Sequence, residues 1–83
     1  MHCKLKSAKP LENFNILLIF ENGETGIYDI KPLAEKLEMF KPLTEIPGLF
    51  SSFKIDAGGY GLSWNDHLDI SCDELFENSR KQS

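Results

Sequence analysis

Long apolar runs are missing from this sequence. The longest, Ile16 to Phe20, is far shorter than the roughly 20 residues that cross a bilayer, so no membrane-spanning helix is expected. Nothing after Met1 reads as a basic segment followed by an apolar stretch, so no export signal is expected either. Cysteine is scarce: Cys3 and Cys72 are the only two, which predicts no disulfide framework and makes a reducing cytoplasm the expected compartment. Positive charge is also in short supply. Nine Lys and Arg against thirteen Asp and Glu leave a net charge of −4, a field that repels phosphate backbones, so direct nucleic-acid binding is not expected. Lys4, Lys6 and Lys9 near the start, and Arg80 with Lys81 near the end, are not interleaved with aromatic residues and read as a solvated strand edge and a solvated tail.

Site chemistry is equally thin. His2, Cys3, His67 and Cys72 are the only soft metal ligands, and they lack the paired spacing of zinc sites, so no metal is expected. Asp66, Asp69, Asp73, Glu74 and Glu77 form an acidic run that loop geometry, helix capping and a solvated helix face account for. A cysteine nucleophile needs a positioned base, but His67 falls in a tight loop with no group to orient it. Gly58-Gly59-Tyr60-Gly61 leads into a strand, whereas a phosphate cradle opens a helix. No catalytic residue and no cofactor are expected, and the chain does not read as an enzyme.

What is present is the patterning of a small folded domain. With 41% hydrophobic and 27% charged residues in 83, the chain supports one core and one domain over 1–83, its ordered part spanning about 3–78 and a tail 79–83. The expected fold is α+β: an antiparallel sheet of about five or six short strands with two or three short helices. Lys4 to Lys9 reads as a lysine-protected edge strand. Phe14 to Phe20 and Thr25 to Ile30 flank Asn22-Gly23, which predicts a type I′ hairpin pairing Phe20 with Thr25, Leu18 with Ile27 and Leu17 with Tyr28. That register puts Leu17, Ile19 and Tyr28 on the face opposite Leu18 and Ile27. They are the candidate partner-binding residues, with Gly26 as a shallow spot beside Ile19 and Tyr28 as an interface-type ring.

Pro32 opens a helix that carries Leu33, Leu37 and Phe40 and stops at Lys41-Pro42, and Pro47 begins a turn that delivers Leu49 and Phe50 to the core. A turn at Gly58-Gly59 pairs Ile55 with Leu62 and Phe53 with Trp64. These four, with Leu18 and Ile27, form the candidate core. A three-residue loop at Asn65-Asp66-His67 then pairs Leu62 with Ile70 and Trp64 with Leu68, and it requires a positive φ at His67. Ser71 and Glu74 are spaced as a capping box for a last helix with Cys72, Leu75 and Phe76 on its apolar side.

Phe20-Glu21-Asn22-Gly23-Glu24, Tyr28-Asp29-Ile30-Lys31-Pro32-Leu33, and above all Leu62 to Ser71 with Asp73-Glu74-Leu75-Phe76 resemble the bacterial family catalogued as domain of unknown function 2442. The resemblance covers about residues 3–78 and departs at His67, where that family commonly has glycine. It implies an α+β fold, no known enzyme activity, and a gene neighbourhood like that of toxin–antitoxin pairs. Some longer relatives append a helix-turn-helix; none is expected here, so autonomous DNA binding is not expected. The leading expectation is a non-catalytic protein-interaction module, antitoxin-like, working with a protein partner or as a homodimer. The alternatives are a nucleic-acid-linked regulator acting through a dimer or partner, and a small ligand-binding domain or enzyme.

Overall fold

Ile16 to Phe20, apolar throughout and rich in strand formers, give the central strand of the molecule, β2 (Asn15–Phe20). The structure is a computed structural model that describes residues 3–82. Around β2 lie β1 (Leu5–Pro10) and β3 (Thr25–Asp29), followed by helices α1 (Lys31–Lys36) and α2 (Pro42–Glu45). Then come β4 (Lys54–Ile55), β5 (Gly61–Asn65), β6 (Leu68–Ser71), α3 (Cys72–Asn78) and β7 (Arg80–Gln82), with short 3₁₀ turns between elements. The fold is α+β, with two antiparallel sheets in the orders β1-β2-β3-β7 and β4-β5-β6, in place of the single sheet expected. The residues read as a tail explain the difference: Arg80, Lys81 and Gln82 pair with Ile27, Gly26 and Thr25, occupying the edge of β3 that a continuous sheet would need.

The first hairpin closes one residue away from the predicted register. Gly23 alone takes a positive φ, 91°, and the Asn22 side chain accepts the backbone N–H of Glu24 at 2.9 Å. The Phe20 N–H bonds the Glu24 carbonyl, so the loop holds three residues, not two. Pairing therefore runs Ile16 with Tyr28, Leu17 with Ile27, and Leu18 with Gly26. Because side chains alternate along a strand, this shift exchanges the faces of Ile27 and Tyr28. Tyr28 joins Leu18 inside, and Ile27 joins Leu17 outside.

The second hairpin keeps its predicted register, Ile55 opposite Leu62 and Leu62 opposite Ile70. Its third strand is reached differently. Asn65 pairs with Leu68 around a two-residue loop, and the irregularity falls between Ser63 and Asn65, at Trp64. The Asn65 side chain accepts the N–H groups of both His67 (2.8 Å) and Leu68 (3.0 Å), which closes the loop without a left-handed third residue. His67 accordingly has no positive φ. Trp64 is half-buried, stacked edge-on to Phe53 at 5.7 Å and bonded through Nε1 to the Phe50 carbonyl. Ile55, placed in the predicted core, is exposed because β4 is a two-residue edge strand.

Between the two sheets the chain folds inward. The predicted helix through Phe40 breaks at Leu37, whose extended backbone (φ −118°, ψ 119°) leaves its side chain exposed while a 3₁₀ turn carries Phe40 inside. Ala34, Leu43 and Leu75, one from each helix, meet Ile16, Leu18 and Leu62 in a common core. Ser71 caps α3 by accepting the Glu74 N–H at 3.2 Å.

Cys3 and Cys72 are joined in a disulfide, with Cα atoms 5.7 Å apart. This corrects the expectation of free thiols and removes the cysteine argument for a reducing compartment. The cause is local. A Cβ at Gly59, where φ is +83°, would stand 2.7 Å from the Leu5 carbonyl oxygen, so the β4–β5 turn lies directly against β1. The next residue, Tyr60, accepts the Cys72 N–H at 2.8 Å. One turn thus holds both cysteine-bearing segments.

Candidate functional site

The register of the four-stranded sheet sets Lys9 opposite Leu17, Leu17 opposite Ile27, and Ile27 opposite Arg80. Directly opposed residues share a face, so one row across the outer side of the sheet reads cation, apolar, apolar, cation. The next row is Ser7, Ile19 and Thr25. Leu17, Ile19 and Ile27 are half-buried by their neighbours, but none belongs to the core or packs against it. The buried residues of all three helices sit in the core on the other side of this sheet. The outer row is an apolar strip bounded by Lys9 and Arg80, both exposed.

Two of the three candidate partner-binding residues, Leu17 and Ile19, are on this strip. Tyr28 is not: it is 3% exposed in the core, and Ile27 takes its place. Gly26 is also internal, and a Cβ there would lie 2.6 Å from the Ser79 hydroxyl at the end of α3.

At the Asn15–Asp29 end the strip runs into a groove of about 670 Å³, formed where β7 stops short and leaves the end of β3 beside α1 and α3. Pro32 and Leu33 give it apolar lining, and Lys36, Arg80, Asp29, Glu74, Asn15 and Asn78 give it polar groups. The Tyr28 hydroxyl donates to a Glu74 carboxylate oxygen at 3.2 Å. Glu74 thus completes only half of the predicted capping box, because its side chain crosses to β3. Burial of the Tyr28 ring, reinforced by the charge of Glu74 beside it, pushes the phenol well above its ordinary value. Asp29 receives the Lys31 ammonium at 2.9 Å and the Lys31 backbone N–H at 3.0 Å. Burial alone would raise its carboxyl. Those bonds and the charges of Lys31 and Arg80 outweigh burial and hold it below the usual carboxylate range.

The Tyr28 shift has a testable consequence. In the unfolded chain the phenol ionises near pH 10, whereas in the folded chain it stays protonated, so its contribution is complete below pH 10 and declines as pH rises above it. The unfolding free energy should fall by about 1 kcal/mol per pH unit more in the parent protein than in Tyr28→Phe across this range. Chemical denaturation at pH 9 to 11 measures it, and parallel curves for the two proteins would contradict the burial argument.

Lys9, Ile27 and Arg80 were not foreseen as part of the strip, since their placement depends on the register and on the pairing of β7. The groove residues come from β2, β3, α1, α3 and β7, and no spacing in the sequence announces them. Among the described residues no group of three or more His, Cys, Asp or Glu side chains is arranged to hold a metal ion, and no helix is long and apolar enough to cross a membrane. His2, counted among the soft ligands, lies outside the described residues. No curated protein and no solved structure matches the chain. A family model does match, over residues 5–81, nearly the whole length. Through that match the chain belongs to the family described as protein of unknown function (DUF2442).

Proposed function

We propose that this domain is a non-catalytic protein-interaction module of the antitoxin kind, which acts by covering a surface of a partner protein. The observation that carries the reading is the half-buried strip of Leu17, Ile19 and Ile27, which among the described residues lies outside the core on the outer face of the four-stranded sheet. Apolar side chains on a sheet face outside the molecule's own core gain by burial against a partner, at roughly 25 cal/mol per Å² removed from water.

Affinity purification of the tagged protein from its native host, beside Ile19→Glu, tests this. Expected is one stoichiometric partner that the variant fails to retain, while thermal unfolding of the variant changes by less than about 1 kcal/mol in stability. Equal retention by both proteins would remove the strip from consideration, and collapse of the variant's fold would assign Ile19 to structure.

The groove beside the strip favours a second reading, a small-ligand site. Its volume of about 670 Å³ falls within the usual range for such sites, and Tyr28, Glu74 and Arg80 bring polar groups to its wall.

A further inference from the structure

We propose that the occupant of the outer sheet face is a single amphipathic helix of a partner protein, apolar along one stripe and acidic on both flanks, lying along β2 and β3. The inference rests on the interaction reading above and deepens it. Dimensions argue for one helix. Lys9 and Arg80 are three strand spacings apart in the row Lys9, Leu17, Ile27, Arg80, which is about 14 Å at about 4.8 Å per spacing. A helix with its side chains is about 10–12 Å across, so one seated on Leu17 and Ile27 reaches both cations with its flanking residues.

Charge argues for acidic flanks and against a second copy of this chain. Although the chain is acidic overall, both rims of the strip carry exposed cations. Two copies packed face to face about a two-fold axis, with strands aligned or antiparallel, set cation against cation at each rim. Asp29, two residues along β3 from Ile27, is already bonded to Lys31 and feels the charge of Arg80. A helix bearing Glu or Asp on either side of its stripe complements both rims at once, and rim charges of this kind select among partners.

The probes are two synthetic 18-residue helices with the same leucine stripe, one flanked by Glu and one by Lys, titrated into the isotopically labelled full chain and followed by NMR. Expected are shifts at the amides of Leu17, Ile19 and Ile27, with the Glu-flanked peptide binding about tenfold more tightly at low salt, as two rim pairs together supply. In Lys9→Glu that preference should shrink by about threefold or more, while Lys9→Ala should lie between. Equal binding of the two peptides, shifts centred elsewhere, or concentration-dependent dimerisation through Ile19 would overturn the proposal. If the peptides fail while Ile19→Glu still releases the native partner, the strip stands and only the helix chemistry falls. If the native partner is also unaffected, the interaction reading falls with it.

Discussion

Reduction of the Cys3–Cys72 bond is expected to lower the unfolding free energy of this domain by about 4 kcal/mol. The two cysteines are 69 residues apart, so the bond closes most of the chain into a loop. On the chain-entropy account, a loop of this size restricts the unfolded ensemble by about that amount. A domain of 83 residues has a total stability of roughly 4 to 12 kcal/mol, so the loss is a large share of the whole. Guanidinium denaturation with and without a dithiol reductant measures the effect. Cys3→Ser, which changes the half-buried partner and spares the buried Cys72, should match the reduced protein. Coincident curves in the presence and absence of reductant would contradict the cross-link, as would free thiols titrated in the unfolded, unreduced protein.

Neighbouring substitutions in β3 should differ several-fold in cost. Tyr28→Ala removes a ring that is 3% exposed, leaves Glu74 without its hydroxyl partner, and opens a cavity against Ile16, so about 3 to 5 kcal/mol is expected. Ile27→Ala removes a side chain from the outer strip, where nothing from the core packs on it, and about 1 kcal/mol is expected. The type I′ register would reverse this order, because it turns Ile27 inward and Tyr28 outward. Equilibrium denaturation of the two variants therefore reads the register of the hairpin directly, and a costlier Ile27→Ala would sink the arrangement described here.

That hairpin shows where the sequence was ambiguous. Asn22-Gly23 suits a two-residue turn, in which Asn22 also has positive φ, and equally a three-residue loop in which Gly23 alone does. Strict alternation would have decided between them, but Ile16 to Phe20 is apolar at every position, so a one-residue slip leaves the pattern of β2 unchanged. Alternation in the second hairpin, with Lys54, Ser63 and Asp69 between apolar positions, left one register standing, and that register is present. Trp64 packs against Phe53 and the core as that register implies, but its expected partner Leu68 pairs with Asn65 instead, because an Asn65 side chain that caps two amides moves the odd residue from the loop into the strand.

Other features had no signal at all. Arg80-Lys81-Gln82 joins the sheet through backbone pairing with β3, and three polar residues carry no periodicity to reveal it. Two lone cysteines at opposite ends of a sequence say nothing of whether they meet; here they do because Gly59 and Tyr60 gather both segments. The strip was half legible, since Leu17 and Ile19 share a face in either register. The groove was not, being assembled from five separate elements.

The order β1-β2-β3-β7 also fixes where the chain enters and leaves. Leu5 pairs with Phe20 and Gln82 with Thr25, so both ends of the sheet-forming chain emerge beside the Glu21–Glu24 turn, about 14 Å apart across three strand spacings. The groove, at the Asn15–Asp29 end, therefore lies at the opposite pole from that turn, with the outer strip running between the two.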